Sequence, residues 1–257
     1  MKVREIYDAI DAFAPYAAQM PWDNSGLAVG SMDDEFDRAL VTIDCSPASL
    51  EAARRNGCGL IVTHHPVLFH AAKSVLSDSF VYRAVRQGVA VLSAHTNYDM
   101  APGGVNDVLA AQLGLTDPAV VEAEGLPMMR IGSTQTLMRA DAFAQFVADR
   151  LGDPVKYTAF PGEIRRVAVC GGAGGDYIAE AAAAGADAFV TGEVKHHMFY
   201  EAERQGLCLI EAGHFATEEP AVRALRDRLQ QQFPAARFIH FCNPPCRALT
   251  PKEPLWD

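Results

Sequence analysis

The run Thr63-His64-His65-Pro66 sets two imidazoles side by side, and two chain-distant pairs share its chemistry: His95 with Asp99, and His214 with Glu218. Imidazole nitrogen and carboxylate oxygen are the donors that hold divalent first-row metals, nitrogen favouring zinc, iron or nickel and oxygen favouring harder ions. Each cluster follows a short apolar run, so each falls at the end of a predicted strand, where one site can gather all three. The pattern predicts a metal centre, and donors of this number and kind predict two metals in it.

Adjacent His64 and His65 would point to opposite faces if their strand continued. Pro66 predicts that the strand stops there, so the rings can diverge toward neighbouring cations while a carboxylate bridges the pair. An isolated His-His pair is more often a surface feature; the accompanying clusters favour ligands. Asp99, followed by Gly103 and Gly104, is expected on a post-strand loop as a ligand or bridge. His95 has two readings, a ligand or a group that relays protons near bound water. Glu218 could instead complement a helix dipole, which is the reading for Glu219. Glu193 and Lys195 also follow a strand and would bind substrate, move protons or form an exposed ion pair. His95 and Glu193 are the candidate catalytic groups. His196 and His197 open a helix pattern and read as structural, whereas Asp44 reads as an acid standing behind the ligands.

The elements that would position these residues occur twice. Ala39–Asp44, Leu60–His65 and Val89–His95 are apolar runs separated by helical stretches ending at Gly57 and Gly88. Arg166–Gly171, Ala188–Glu193 and Leu207–His214 repeat the order, with helices ending at Gly185 and Gly206. Short apolar runs alternating with helical periodicity predict buried parallel strands joined by crossover helices, and such units present function at the carboxyl ends of their strands. The repeat aligns Thr63-His64-His65 with Thr191-Gly192-Glu193, and His95…Asp99 with His214…Glu218. Between the halves, Met129–Met138 predicts a strand, Ala140–Leu151 a helix and Val155–Phe160 a short strand. Thr217 is expected to cap a helix running to about Gln232, and Phe238–Phe241 to form a last strand before a proline-rich tail. The resulting expectation is an α/β fold from a duplicated unit, with mixed sheets flanked by helices. Its lobes are 1–125, carrying His64, His65 and Asp99, and 126–257, carrying His214 and Glu218, sharing one metal site.

The 257 residues are 49% hydrophobic and 21% charged, as in an ordinary globular protein, and the formal charge of −10 argues against a protein that wraps a nucleic-acid backbone. Nucleic acid is therefore not the favoured partner. No signal-peptide core and no membrane-length apolar run is visible, which predicts a cytoplasmic protein without a membrane partner. Cys45, Cys58, Cys170 and Cys208 lie in or beside apolar segments. Cys242 and Cys246 form the only close pair and lack a second pair for zinc, so all six are expected as reduced thiols. Gly171–Gly175 lacks the spaced order of a dinucleotide loop, and Asp176 would oppose a phosphate there.

Pro21-Trp22-Asp23-Asn24-Ser25-Gly26-Leu27, Thr63-His64-His65-Pro66, His95-Thr96-Asn97-Tyr98-Asp99 with Gly103-Gly104-Val105-Asn106-Asp107, and Gly213-His214-Phe215-Ala216-Thr217-Glu218 resemble the signatures of the NIF-three-like family of dinuclear-metal hexameric proteins, often labelled GTP cyclohydrolase 1 type 2 homologues. The resemblance covers nearly the whole chain. Carried over by position, it implies metal ligands at His64, His65, Asp99, His214 and Glu218, with His95 as an additional histidine near the metals. It also implies two intertwined α/β lobes and a toroidal homo-hexamer without the inserted domain of longer relatives. The tail cysteines depart from the family pattern.

The leading functional expectation is a metal-dependent hydrolase using two divalent ions (zinc, iron, manganese or nickel) on a small-molecule substrate. The family label implies GTP, with opening of the purine ring and loss of formate. A metal-dependent phosphoesterase or nuclease would use the same cations, and a non-catalytic ring scaffold would bind metal without turnover.

Overall fold

The computed structural model describes residues 1–247, and its contacts divide the chain into two compact units. One comprises Met1–Val108 with Glu218–Asn243; the other comprises Leu109–Thr217 with residues 244–247. The expected boundary between residues 125 and 126 falls in the turn between two paired strands, and the last strand, expected in the second lobe, pairs in the first sheet. The proline-rich tail beyond residue 247 lies outside the described residues.

In the first unit α1 (Val3–Phe13) precedes β1 (Gly26–Val29), followed by β2 (Arg38–Thr42), α2 (Pro47–Asn56), β3 (Leu60–Thr63), α3 (Phe80–Gln87), β4 (Ala90–Ser93) and the short α4 (Thr96–Met100), after which the chain passes from the first unit into the second within α5 (Val105–Gln112). β2, β3 and β4 pair in parallel, while β1 adds antiparallel to β4 at the edge. Every residue of β3 and β4 is buried, which explains why they read as continuous apolar runs rather than alternating ones. Leu40, Ile61 and Val91 fill one side of this sheet with Leu50, Ala53 and Ala84 from the helices.

The second unit continues with β5 (Thr116–Ala123), β6 (Leu126–Arg139), α6 (Ala140–Leu151), β7 (Lys156–Tyr157), β8 (Glu163–Cys170), α7 (Ile178–Ala183), β9 (Ala188–Thr191), α8 (His196–Arg204) and β10 (Cys208–Glu211). Its sheet has the order β5-β6-β8-β9-β10-β7, with β8, β9 and β10 parallel. Phe143, Val147, Val167, Val190 and Ile210 belong to its core. β5 and β6 form a hairpin whose two-residue turn puts both Glu124 (φ 55°) and Gly125 (φ 75°) in the left-handed region, the backbone a tight hairpin demands. α9 (His214–Gln232) and β11 (Arg237–His240) then complete the chain, β11 pairing in parallel with β2 in the first sheet.

The duplication is present in the topology. β2-α2-β3-α3-β4 and β8-α7-β9-α8-β10 have the same order and sense, and each has an antiparallel edge strand beside its last member, β1 on β4 and β7 on β10. The strand registers extend the match beyond the apolar runs. Gly26 pairs with Ser93 and Lys156 with Glu211, so Asp23 and Asp153, each three residues before its edge-strand residue, occupy equivalent places. The chain is therefore an α/β protein with two mixed sheets flanked by helices. No helix among the described residues is long and apolar enough to cross a membrane.

All six cysteines are free, Cys45, Cys58, Cys170 and Cys208 buried and Cys242 and Cys246 exposed. Burial pushes the thiols of Cys45 and Cys208 up to about 12, far from the thiolate that reacts. A thiol reagent at neutral pH should accordingly modify at most Cys242 and Cys246 in the native protein and the remaining four only with denaturant. Fast native labelling of a buried cysteine, read by peptide mass, would contradict this packing.

Candidate metal centre

The His-His pair is shaped by the end of β3. The amides of both His64 and His65 donate to Ile43 O, at 3.1 and 3.0 Å, and the Thr63 hydroxyl donates to His65 O at 2.8 Å. The strand stops with its polar backbone satisfied and the rings diverge, as Pro66 predicted, with centroids 5.1 Å apart.

Each of three imidazoles is held by Nδ1. His64 Nδ1 donates to Ala94 O at 2.9 Å, His65 Nδ1 pairs with Asp44 Oδ1 at 2.8 Å, and His95 Nδ1 pairs with Asp23 Oδ1 at 2.8 Å. A partner fixed at one nitrogen orients the ring and turns the other nitrogen toward a metal. The three rings lie within 5.1–5.5 Å of one another, and each offers a nitrogen within 4.8 Å of the others. His64 Nε2 lies 3.4 Å from Asp99 Oδ1 and 3.5 Å from Glu218 Oε1, and His65 Nε2 lies 3.1 Å from Glu218 Oε2.

Asp99 is in α4, one residue from its end, rather than on the loop expected from its glycines. The reason is Asp23, whose carboxylate accepts the Thr96 amide at 3.1 Å and the Thr96 hydroxyl, so a residue remote along the chain starts the short helix. The rest of the motif locks that helix. Asn97 Nδ2 donates to Ala14 O at 2.7 Å, Asn106 Nδ2 to Asp99 O at 3.1 Å, and Tyr98 OH to Ala221 O of α9 at 3.1 Å.

α9 begins at His214, earlier than the expected cap at Thr217. The Thr217 hydroxyl bonds back to Gly213 O and His214 O and accepts from Gly172 N, so it stabilises the first turn from inside rather than capping it. Glu218 thus stands one turn after His214 on the same helical face. That spacing takes it beyond the position where a carboxylate merely offsets the helix dipole. Glu219 has its own partner, His240, at 2.5 Å. His214 Nδ1 lies 3.3 Å from Glu193 Oε2, whose side chain is 60% exposed. Lys195 immediately precedes α8, where His196 and His197 form the first turn.

The repeat explains why only one half carries a histidine pair directly at the end of its middle strand. Gly192, the counterpart of His64, approaches its neighbours so closely that a Cβ would meet Gly172 O at 2.6 Å and the Cα of His214 at 2.7 Å. No side chain fits there, so the second half contributes backbone where the first contributes imidazole.

Electrostatics define what the centre lacks. Burial raises the Asp99 carboxyl above the usual range and Glu218 pushes it further, against the pull of His64 and His95. Burial opposes the imidazolium at His65, but Asp44 and Glu218 overcome it and raise the ring to about 10. Asp99 Oδ1 and His64 Nε2 are buried, yet neither makes a hydrogen bond. Carboxylates facing imidazole nitrogens, with the buried Asp99 Oδ1 and His64 Nε2 left unbonded, form a donor set that a divalent cation satisfies, so the residues fit the implied metal.

Asp23 went unassigned in the sequence, although its motif was visible. Its side chain has no solvent exposure, and besides His95 and Thr96 it accepts the Asn24 amide at 2.7 Å and the Ser25 hydroxyl at 2.9 Å. Burial alone would raise its carboxyl, but the bond and charge of His95, with the Thr96 hydroxyl and Asn24 amide, hold it well below the aspartate range. Its contribution to stability is therefore complete above the ordinary value of 3.8 and is lost as the pH falls through the lower folded value. Asp23→Asn should destabilise the protein by about 3 kcal/mol at pH 7, because buried donors lose their charged acceptor. The difference from the unmodified protein should shrink with acidification in denaturant titrations. A difference constant from pH 7 to pH 3 would refute this role.

Comparisons with known proteins agree with this architecture. The sequence profile of the family described as Duf34/NIF3 (NGG1p interacting factor 3) matches residues 1–244. The chain is 33% identical over 242 residues to a Nostoc sp. protein named "GTP cyclohydrolase 1 type 2 homolog", covering 90% of this chain and 92% of that protein. It is 28% identical over 245 residues to a Clostridium perfringens protein of the same name, covering 90% and 92%. Among solved structures, a Bacillus cereus protein related to NIF3 superposes with a TM-score of 0.90 over 97% of this chain and 99% of that one, at 20% identity.

Proposed function

The chain belongs to the Duf34/NIF3 family, and from that premise we propose that it is a metal-dependent hydrolase whose two divalent cations are held by His64, His65, Asp99, His214 and Glu218. The observation that carries this reading is the set of imidazoles fixed at Nδ1 around the buried Glu218 carboxylate and the buried Oδ1 of Asp99. The cations would supply Lewis acidity toward water and substrate. His95, oriented by Asp23, moves a proton at Nε2, and Glu193, exposed beside His214, exchanges protons with solvent. The substrate in this proposal is a nucleotide, GTP by the name its relatives carry, attacked by water at the imidazole carbon of the purine with release of formate.

Nitrogen and oxygen donors admit zinc, iron, manganese or nickel. The proposal includes a toroidal homo-hexamer, for which light scattering on the intact protein is the check, and a reducing cytoplasmic setting, in keeping with six free thiols.

Elemental analysis of the purified protein should give two metals per chain, and incubation with GTP should release formate in proportion to that content. His64→Ala should abolish both. Because His64 is buried, Asp44→Ala supplies a variant with less risk to folding: losing the carboxylate behind His65 should weaken metal affinity about 10–100-fold. Formate release unchanged by chelator would refute the reading. Cleavage of phosphoesters instead of ring opening would move the site to phosphoesterase chemistry, and full metal content without any turnover would leave a metal-binding scaffold.

A further inference from the structure

Beside the polar centre stands an aromatic rim that metal binding does not use. Trp22 and Phe69 are 53% and 43% exposed. Their ring centroids lie 5.6 Å apart at a tilt of 40°, and each meets the His95 ring at 6.0 Å, close to edge-on. Large aromatic side chains left open to solvent together at the edge of a buried polar cluster forgo the burial that folding favours, which marks a surface that contacts something else.

The rim has a fixed spacing to the imidazole. Asn24 Nδ2 donates to Leu68 O at 2.7 Å, joining the turn that carries Trp22 to the loop that carries Phe69. The Asn24 amide donates to Asp23 Oδ1, the same oxygen that holds His95 Nδ1. One hydrogen-bonded chain thus runs from the Phe69 loop through Asn24 and Asp23 to His95. The indole, the phenyl ring and the imidazole keep their places together.

Geometry selects the occupant. At 5.6 Å and 40° the two rings already touch, so no slot opens between them, and a ligand must lie on an outer face. A flat ring gains most from such a face, since stacking needs a π-surface in the ligand and tolerates any base. A sugar phosphate, which has no π-face, gains less from it. A ring nitrogen on a base stacked there would come beside His95, the one polar edge turned toward both aromatics.

We propose that Trp22 and Phe69 form a stacking platform that takes the planar heteroaromatic base of the substrate and holds it beside His95, so that the site selects a base rather than a phosphate alone. The proposal rests on the nucleotide reading of the centre, and it adds the residues that recognise the base.

Trp22 and Trp256 are the only tryptophans in the sequence, so in a Trp256→Phe background the fluorescence reports Trp22 alone. Guanosine and GTP should quench it and ribose 5-phosphate should not, in metal-loaded and in metal-stripped protein. Trp22→Leu should weaken guanosine binding, measured by calorimetry, about tenfold or more, while Trp22→Phe should retain most of it. Exposure of Trp22 means that neither replacement opens a core, and circular dichroism of both variants should match the parent. If ribose 5-phosphate quenches as well as guanosine, or Trp22→Leu binds guanosine as tightly as the parent, the platform is refuted. A rim covered by a protein partner or a second copy would give that same refuting result. Base binding without formate release would overturn the hydrolytic reading and leave the platform standing; metal-dependent hydrolysis without base selectivity would do the reverse.

Discussion

Two carboxylates, the buried Glu218 and Asp99 with its buried Oδ1, face the Nε2 of His64, and the first unit is organised around that juxtaposition. Removing carboxylates from water costs several kcal/mol per group unless charge and hydrogen bonds replace the solvent. Partners are supplied from behind rather than from within. Ala94 O, Asp44 and Asp23 hold the three imidazoles by Nδ1, so the nitrogens that face the carboxylates are those left for a cation. Such a centre is only partly compensated by its own protein, which is the condition under which metal binding adds directly to folding stability.

Duplication supplied the scaffold, and local packing then separated the roles of its halves. Both units present residues from the carboxyl ends of three parallel strands, with an aspartate before the antiparallel edge strand. In the first unit that aspartate starts α4 and orients His95. In the second, Asp153 lies so close to Gly213 that a Cβ there would meet its carboxylate at 2.6 Å. Gly192 likewise stands where the first unit has His64, excluded from bearing a side chain by Gly172 and His214. A shared backbone plan therefore yields an imidazole cluster in one half and a tightly packed glycine turn in the other.

How much of this was legible in the sequence depended on whether the signal was local. The buried parallel strands announced themselves as unbroken apolar runs, and the His-His pair announced the end of β3, because neither depends on distant residues. Asp99 was expected on a loop because Gly103 and Gly104 are local, while the carboxylate that converts the segment into a helix comes from Asp23, far along the chain. The start of α9 was missed because Thr217 has cap chemistry, and only its bonds to Gly213, His214 and Gly172 reveal another use. β5 escaped detection because its residues are largely exposed, Pro118 lies within it, and its turn is Glu-Gly rather than the usual Asn-Gly. The division of the chain followed from β11 returning to β2, a pairing with no signature in either segment.

The centre and its rim answer opposite physical demands. Ligand atoms must be held rigidly, because a misplaced nitrogen forfeits its bond to a cation, and the imidazoles of His64, His65 and His95 are each fixed at Nδ1 by a second group. Recognition of a flat ring tolerates rotation and needs open area, which Trp22 and Phe69 retain. Asp23 belongs to both arrangements. Through Oδ1 it orients His95 and accepts the Asn24 amide beside the Trp22 turn, and through Oδ2 it starts the helix that carries Asp99. A single buried carboxylate thereby couples the position of a proposed metal ligand, the His95 imidazole and an aromatic surface, so a shift in any one of them is resisted by the hydrogen bonds of the other two.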